Sequence, residues 1–358
     1  MLSNTFRRLG QYFNVQLLLT SLVALIALVM SVRAMAAPVL INGAGSTFVE
    51  PIYTKWFSEY QKVDSNLTVN YQGIGSGGGI RQLIAGTVDF GASDAPMTND
   101  EEKSANKTVF HIPMVLGAVV VSYNLKLDKT LKLTGPVVAD IFSGKITKWN
   151  DAKIKELNSG LALPDTAIVV ATRSDGSGTT AVFSDYLSKV SPDWKGKAGK
   201  TVDWFKGSLG GKGNAGVAGL VKQAEGAIGY VELVYAVENK LPFADIKNKK
   251  GEFVTASMKS VTSAVSTKAV EEMSKNNFKI SITDSEAKGA YSISSFSWML
   301  IFDNMPKEKG EKLLKLVKWV MTDKAQALAA DINFAPLPPE LRKRILATVD
   351  KVKTNQLP

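Results

Sequence analysis

The sequence predicts an α/β protein whose sheets are largely parallel, and three observations support this. Short runs rich in β-branched and aromatic residues alternate with stretches that repeat apolar residues at helical spacing. Strands that alternate with helices form βαβ units, whose strands run parallel. The length of 358 residues indicates about two domains, on the usual scale of ~150 residues each.

The first predicted elements follow one another closely. In chain order they are a helix over 48–60, a strand over 67–71, a helix at 80–84 and a strand over 88–92 that ends at Ser93-Asp94. Near the other end of the chain, Lys312–Ala330 reads as one amphipathic helix, whereas 247–288 is polar, rich in lysine and weakly periodic.

Two dense apolar runs are predicted to carry the chain between its domains. Residues 115–123 read as a strand that crosses into a second domain, and residues 294–302 read as a strand that returns the chain to the first. We therefore expect one domain over 37–115 plus 291–358 and another over 116–290.

The N-terminus has the pattern of a secretory signal peptide. Arg7 and Arg8 precede an apolar run over 17–32, and Ala34-Met35-Ala36 supplies a cleavage signal. A membrane anchor is the alternative, but a spanning helix needs about 20 apolar residues, and this run is shorter. We expect cleavage after residue 36 and, because the chain has no cysteine for a lipid anchor, a soluble periplasmic protein without lipid.

Composition excludes several classes of protein. Removing residues 1–36 takes away three arginines and no acid, which lowers the net charge from +10 to +7. The remaining positive charge is mostly scattered lysine, which indicates a solvated surface and no nucleic-acid partner. The single histidine, His111, lies in an apolar, strand-like stretch, so we expect a half-buried structural role. The sequence therefore offers few of the residues that usually act as general bases or metal ligands.

Three segments share one design: a strand, a turn of glycine and hydroxyl residues, and then a helix. They are Gly43–Phe48, Gly73–Gly79 and Asp175–Thr180. Glycine lets the backbone approach a ligand, and the helix that follows directs free N–H groups and a positive dipole end toward the turn. Each alone reads as an ordinary helix cap, but three in one chain favour a shared oxyanion site.

Charged residues adjoin these turns. Arg173 precedes the third turn, and its planar guanidinium can bind an oxyanion bidentately. Asp175 could hold Arg173 in position, although a surface salt bridge of little value is the alternative. Asp94 ends a predicted strand. It is a candidate ligand contact, and the alternative is that it only caps the turn.

Two other interpretations of the same residues are weaker. Gly73, Gly75 and Gly78 fit a G-x-G-x-x-G pattern, with Asp94 at a tolerable distance, but a secreted chain would rarely meet a nicotinamide cofactor. Ser177 sits in a tight turn, yet the surrounding residues do not fit G-x-S-x-G, and only His111 could act as its base.

The sequence resembles a known family, the periplasmic phosphate-binding proteins of ABC phosphate importers. The resemblance covers most of the chain after the signal segment and is weakest over 241–288. The matching segments are Gly43–Phe48, Asn70–Gly79, Thr87–Pro96, Arg173–Thr179, Leu209–Asn214 and Gly226–Glu232.

This resemblance implies a fold, a function and a set of residues. The fold is the two-lobed class II periplasmic-binding-protein fold, in which each lobe is a mixed, mostly parallel sheet flanked by helices. The function is high-affinity binding of inorganic phosphate and delivery to the membrane permease of an ABC importer, by a monomer with no catalysis, cofactor or metal. The implied phosphate-binding residues are Thr47, Phe48, Ser76, Asp94, Arg173, Ser177, Gly178 and Thr179.

One residue departs from the family pattern, and two other functions stay open. Ser46 stands where alanine is frequent in the family, and we expect this to matter little. A binding protein for another oxyanion, such as sulfate, is the main alternative, and a secreted phosphatase that uses Ser177 is a distant one.

Overall fold

The structure, a computed structural model, describes residues 38–355. The predicted signal peptide, 1–36, lies outside the described residues. The strands β1 to β13 span Val39–Gly45, Leu67–Gly73, Phe90–Ser93, Val109–Tyr123, Lys132–Leu133, Val169–Arg173, Leu209–Gly211, Ala227–Glu232, Asp245–Lys247, Phe253–Val254, Ser294–Phe302, Asn304–Pro306 and Lys353–Asn355.

Helices follow most of these strands. The helices α1 to α13 span Glu50–Gln61, Ser76–Ile84, Asn99–Ala105, Gly135–Phe142, Ala152–Leu157, Gly178–Val190, Gly213–Gln223, Leu233–Glu238, Met258–Ser263, Thr267–Lys275, Lys307–Val320, Asp323–Ala330 and Pro339–Val349. Within residues 38–355, no helix combines the length and the apolar character that a membrane crossing requires.

A single mixed sheet of eight strands organises the molecule, in the order β2-β1-β3-β11-β4-β8-β6-β7. β2, β1 and β3 run parallel at one side, and β8, β6 and β7 run parallel at the other. The antiparallel pair β11 and β4 joins the two halves. The predicted α/β class, with mixed and mostly parallel strands in each half, is confirmed.

β4 is the longest strand, and both halves of the sheet depend on it. Its first part, from Val109 to Ala118, pairs with β11, and its last part, from Val119 to Tyr123, pairs with β8. Nearly all of its side chains are buried, as expected for a strand covered on both faces. β4 and β11 contain the two apolar runs that the sequence predicts to connect domains.

A bulge interrupts the pairing of β4 with β11. The register shifts between Ser297 and Trp298, opposite Val115 and Pro113. Proline has no N–H for the hydrogen-bond ladder, and such positions in a sheet are typically bulges. Bulges change the direction of nearby side chains, and here Ser297 lies beside the bulge with its hydroxyl on Asp94.

The helix predicted over Lys312–Ala330 is in fact two helices, and this prediction was wrong. α11 ends at Val320, and α12 begins at Asp323 with Thr322 as its N-cap, whose side chain accepts the N–H of Ala325. The break lets Gln326 donate to the carbonyl of Met114 at 3.1 Å. The Thr-Asp pair at 322–323 is an N-cap signal that the long apolar periodicity concealed.

His111 has the structural role that the sequence predicts, but it is fully buried rather than half-buried. Its Nε2 accepts the backbone N–H of Met97 at 3.0 Å. Burial, and after it the positive charges of Lys279 and Lys200, lower the pKa of His111 to about 3. A backbone hydrogen bond with Val109 acts to raise the pKa, but burial prevails. Glu102, 4.0 Å from Nδ1, is itself paired with Lys279.

Buried His111 predicts a specific loss of stability in acid. The unfolded chain takes up a proton below its ordinary pKa of 6.5, whereas the folded ring does so only near 3. The free energy of unfolding should therefore fall, by about 1.4 kcal/mol per pH unit through that window. Urea unfolding at about pH 7.5 and about pH 5 should show a smaller loss in His111→Gln than in the wild type. Equal losses would contradict the assignment.

Candidate anion-binding site

The three parallel strands on each side of the sheet direct their carboxyl ends to one place between the two halves. Ligands of open α/β sheets bind outside such strand ends. The residues at or just after these ends are Thr47 after β1, Ser76 after β2, Asp94 after β3, Arg173 at the end of β6, Asn214 after β7 and Glu232 at the end of β8. All six are buried.

Thr47 is held so that its hydroxyl proton is free for a ligand. Its Oγ1 accepts the backbone N–H of Asn214 at 3.1 Å and the side-chain Nδ2 of Asn214 at 2.9 Å. A hydroxyl has two acceptor lone pairs and one donor, so only the donor remains. Tyr235 fixes the backbone by donating to the carbonyl of Thr47 at 2.6 Å.

Thr179 is prepared in the same way from the opposite half of the sheet. Its Oγ1 accepts from Arg173 Nη1 at 3.3 Å and from Asn214 Nδ2 at 3.2 Å. Its hydroxyl proton is therefore also left to point at a ligand. The two threonines form a pair of donors that one amide holds in place.

Asn214 is the functional residue that sequence reasoning did not single out. It bonds to Thr47 and Thr179 together, across 167 and 35 residues of chain. Its Oδ1 accepts the backbone N–H of Glu232 at 3.0 Å, which fixes the amide with Nδ2 toward the threonines. The only sequence signal is its position at the end of the family segment Leu209–Asn214.

Arg173 and Asp175 form a buried, bidentate ion pair. Nε donates to Oδ1 at 2.7 Å and Nη2 to Oδ2 at 2.5 Å, with side-chain exposures of 1% and 14%. Burial acts to raise the pKa of Asp175, but hydrogen bonds and charge from Arg173 outweigh it, and the pKa lies below its ordinary value. The prediction that Asp175 could hold Arg173 agrees with this geometry; the pair is not a surface salt bridge.

Asp94 is a buried carboxylate surrounded by serine hydroxyls. Ser46 donates to Oδ2 at 2.5 Å, Ser297 donates to Oδ1 at 2.7 Å, and Ser76 lies 3.4 Å from Oδ2. Burial raises the pKa of Asp94 from 3.8 to about 6, against the lowering by these hydroxyls and by the charge of Arg173. Asp94 therefore remains ionised in most molecules at neutral pH.

The third glycine-hydroxyl turn packs directly on Asp94 and Ser76. A Cβ added to Gly178 would lie 2.4 Å from Asp94 Oδ2 and 2.4 Å from Ser76 Oγ. Gly77 N–H donates to the carbonyl of Gly176 at 2.9 Å, which links the second turn to the third. The approach of the turns thus requires a residue without a side chain.

Helix α6 begins at this turn and points toward the site. Ser177 is its N-cap and accepts the N–H of Thr180 at 3.0 Å. The N–H groups of Gly178 and Thr179, at the first two helical positions, have no acceptor within the helix. They are available to an anion at the positive end of the helix dipole.

Phe48 is the residue whose backbone N–H the resemblance assigns to the ligand. Its backbone N–H donates to Ser46 Oγ at 2.9 Å. Its ring is buried, 6.0 Å from the ring centroid of Phe334. The structure brings Thr47, Phe48 and the other predicted residues around one site, and it adds Asn214, Ser46 and Ser297.

A second buried acid, Glu232, lies close to the site. The Oε2 of Glu232 accepts the N–H of Val234 at 2.6 Å and caps α8. Burial, and the negative charge of Asp94, raise the pKa of Glu232 well above its usual range. This rise in pKa favours the neutral form of Glu232, and a neutral carboxyl adds no repulsion toward an anion.

A cleft of about 340 Å³ lies beside the site. It runs from Asp94 past Pro96 and Val182 to Trp298. Asp94 itself lines the cleft, so the cleft adjoins the predicted site.

The chain matches known proteins over most of its length. Residues 33–324 match the family model described as the PBP superfamily domain, the class that fold and site indicate. The chain is 43% identical over 318 residues to Phosphate-binding protein PstS of Xylella fastidiosa, with 86% of this chain and 84% of that protein covered. It is 37% identical over 338 residues to Phosphate-binding protein PstS of Methanocaldococcus jannaschii, covering 88% and 87%. The chain belongs to the PBP superfamily and, within it, to the family of the PstS proteins.

Solved structures share the fold at lower identity. A Phosphate-Binding Protein from Stenotrophomonas maltophilia gives a TM-score of 0.64 at 17% identity, over 86% of this chain and 93% of that chain. An ABC-type phosphate transport receptor from Vibrio cholerae gives 0.53 at 19% identity, over 83% and 100%.

The surroundings of Asp94 predict how its carboxyl titrates. Carbon-detected NMR should place the midpoint of Asp94 near pH 6, above that of exposed aspartates. Ser297→Ala removes the 2.7 Å hydrogen bond to Oδ1, so the midpoint should rise further, because that bond favours the charged form. Ser295→Ala is the matched control, since its hydroxyl reaches only the backbone carbonyls of Asp94 and Phe296. A midpoint near pH 4 in the wild type would be incompatible with this description.

Proposed function

We propose that this protein binds inorganic phosphate with high affinity and delivers it to the permease of an ABC importer. The observation that carries the proposal is the buried carboxylate of Asp94, which serine hydroxyls hold among the donors of an anion site. The family membership and the names of the relatives support the same function.

Donors of three kinds surround the proposed ligand position. Arg173 supplies a charged guanidinium, Thr47 and Thr179 supply hydroxyl protons, and the start of α6 supplies backbone N–H groups. Charged and preorganised donors are the groups that bind a tetrahedral oxyanion most strongly. This set suits phosphate and sulfate equally well.

Asp94 is the group that distinguishes the two anions. An ionised carboxylate only accepts hydrogen bonds. Phosphate retains a proton near neutral pH and can donate it to Asp94, whereas sulfate has none. Toward sulfate, Asp94 therefore brings repulsion and an unsatisfied acceptor, which disfavours that ligand.

We further propose a two-lobed mechanism in a periplasmic monomer. The proposed lobes, 37–115 with 291–358 and 116–290, close on the ligand, because a single anion contacts groups from both. The ion pair between Lys200 and Glu101, at 2.7 Å, supports the closed arrangement. One chain supplies every proposed ligand group, which supports action as a monomer.

Binding without catalysis is the proposed chemistry. The relatives are named as binding proteins. Ser177 caps α6, and His111 is bonded to Met97, so the two are not arranged as nucleophile and base. We propose that Ser177 contacts the ligand, as the family resemblance implies, and that it does not act as a nucleophile.

Calorimetric titration of the ligand-stripped protein tests the proposal. Phosphate should bind tightly at a one-to-one ratio, and sulfate should not compete. Binding of sulfate in preference to phosphate would support the other-oxyanion function instead. Release of product from a chromogenic phosphate ester would indicate a phosphatase.

Arg173 is predicted to supply the main positive charge. Losing one partner of a buried charged pair costs about 2–5 kcal/mol, so Arg173→Ala should weaken phosphate binding by about 30-fold to several thousand-fold. Arg344→Ala, which removes an exposed arginine paired with Glu340, is the matched control. Phosphate affinity near the wild-type value in Arg173→Ala would exclude this role.

Asp94 is predicted to reject sulfate. Asp94→Asn nearly keeps the shape, removes the charge and adds an amide donor, so the preference for phosphate over sulfate should fall by orders of magnitude. Sites that depend on such a hydrogen bond discriminate by about 10⁴ to 10⁵. Asp165→Asn, at an exposed aspartate paired with Lys148, is the control for charge alone. If competition titrations show Asp94→Asn ignoring sulfate as strictly as the wild type, selectivity lies elsewhere.

A further inference from the structure

The hydroxyl of Ser46 makes the two contacts that a protonated phosphate oxygen would make. Ser46 Oγ accepts the backbone N–H of Phe48 at 2.9 Å and donates to Asp94 Oδ2 at 2.5 Å. A P–OH group can likewise accept an N–H through its oxygen and give its proton to a carboxylate. Serine and ligand therefore require the same two partners.

We propose that Ser46 is an internal competitor of phosphate, whose hydroxyl must leave Phe48 N–H and Asp94 Oδ2 before the ligand can use them. The inference rests on the proposed function. It makes Ser46 an affinity-setting residue rather than a neutral replacement of alanine.

The backbone of Ser46 leaves rotation of the side chain as the way to vacate these contacts. Its N–H donates to the carbonyl of Ala92 at 2.9 Å. Its carbonyl accepts the hydroxyl of Tyr71 at 2.7 Å. With both ends of the residue tied to neighbouring elements, Oγ can move only about the Cα–Cβ bond.

The other hydroxyls on Asp94 are arranged differently. Ser297 binds the opposite carboxylate oxygen, Oδ1. Ser76 lies 3.4 Å from Oδ2 and accepts the N–H of Asp94 at 3.3 Å. Ser46 alone among these three serines bonds both to Oδ2 and to a backbone N–H predicted to contact the ligand.

Calorimetry with inorganic phosphate on Ser46→Ala tests the proposal. Ser46→Ala should bind phosphate about tenfold more tightly than the wild type. A hydrogen bond to a charged group contributes about 1.5–3 kcal/mol. Removing the bond from Ser46 to Asp94 takes part of that stabilisation from the unbound protein, so phosphate no longer has to displace it. Ser295→Ala removes a buried hydroxyl that touches no carboxylate oxygen, and its affinity should not change.

A merely structural role gives a different result. If Ser46 only caps the turn before α1, Ser46→Ala lowers the free energy of unfolding and leaves phosphate affinity unchanged or weaker, which would overturn the inference. Tighter binding together with lower stability supports it. If the wild type itself fails to bind phosphate, the proposed function fails; if it binds and Ser46→Ala is no tighter, only this inference fails.

A crystal structure of the wild type with phosphate keeps the proposal testable even if Ser46→Ala does not fold. Ser46 Oγ should then be rotated away, and a phosphate oxygen should accept the N–H of Phe48. A serine hydroxyl still bonded to both Phe48 and Asp94 beside bound phosphate would refute competition.

Discussion

The close packing of Gly178 against Asp94 and Ser76 is the contact on which the rest of the site depends. It brings the start of α6 to the carboxylate and lets Gly77 bond to Gly176. Asn214 likewise links the two halves, because it bonds to Thr47 and Thr179 together. The mixed sheet, with parallel strands on both sides of the β4 and β11 pair, turns six strand ends toward this point.

The electrostatics of the site follow from its burial. Ionised groups in a low-dielectric interior must be paired or hydrogen-bonded. Asp175 meets that condition through the two-point pair with Arg173, and Asp94 meets it through serine hydroxyls. For Glu232, burial raises the pKa and so favours the neutral form. The result is an interior in which the proposed ligand would meet one guanidinium and one serine-bonded carboxylate, two groups with opposite requirements.

Local pattern was enough to predict much of this protein, and distant contacts explain the rest. The glycine-hydroxyl turns, Arg173 and the buried strand over 294–302 could be found because each is a short-range signal. Asn214 and Ser297 gain their roles from partners 167 and 203 residues away, and Ser297 depends on a bulge at Pro113. Such long-range pairings leave no periodic pattern in the sequence. The break at Thr322 was hidden for the opposite reason, because a local cap signal lay within a long apolar repeat.

The glycines of the touching turns also limit how this gene can change. Gly178 faces Asp94 and Ser76, and Gly75 faces Asp175 Oδ2 at 2.3 Å from where a Cβ would lie. Any base change that replaces a glycine by another amino acid adds a side chain, and Gly75, with a φ of 85°, would be strained as well. Neutral drift at these two codons is therefore confined to synonymous bases. At Gly219 an added Cβ would meet open space, so alanine fits there at no steric cost.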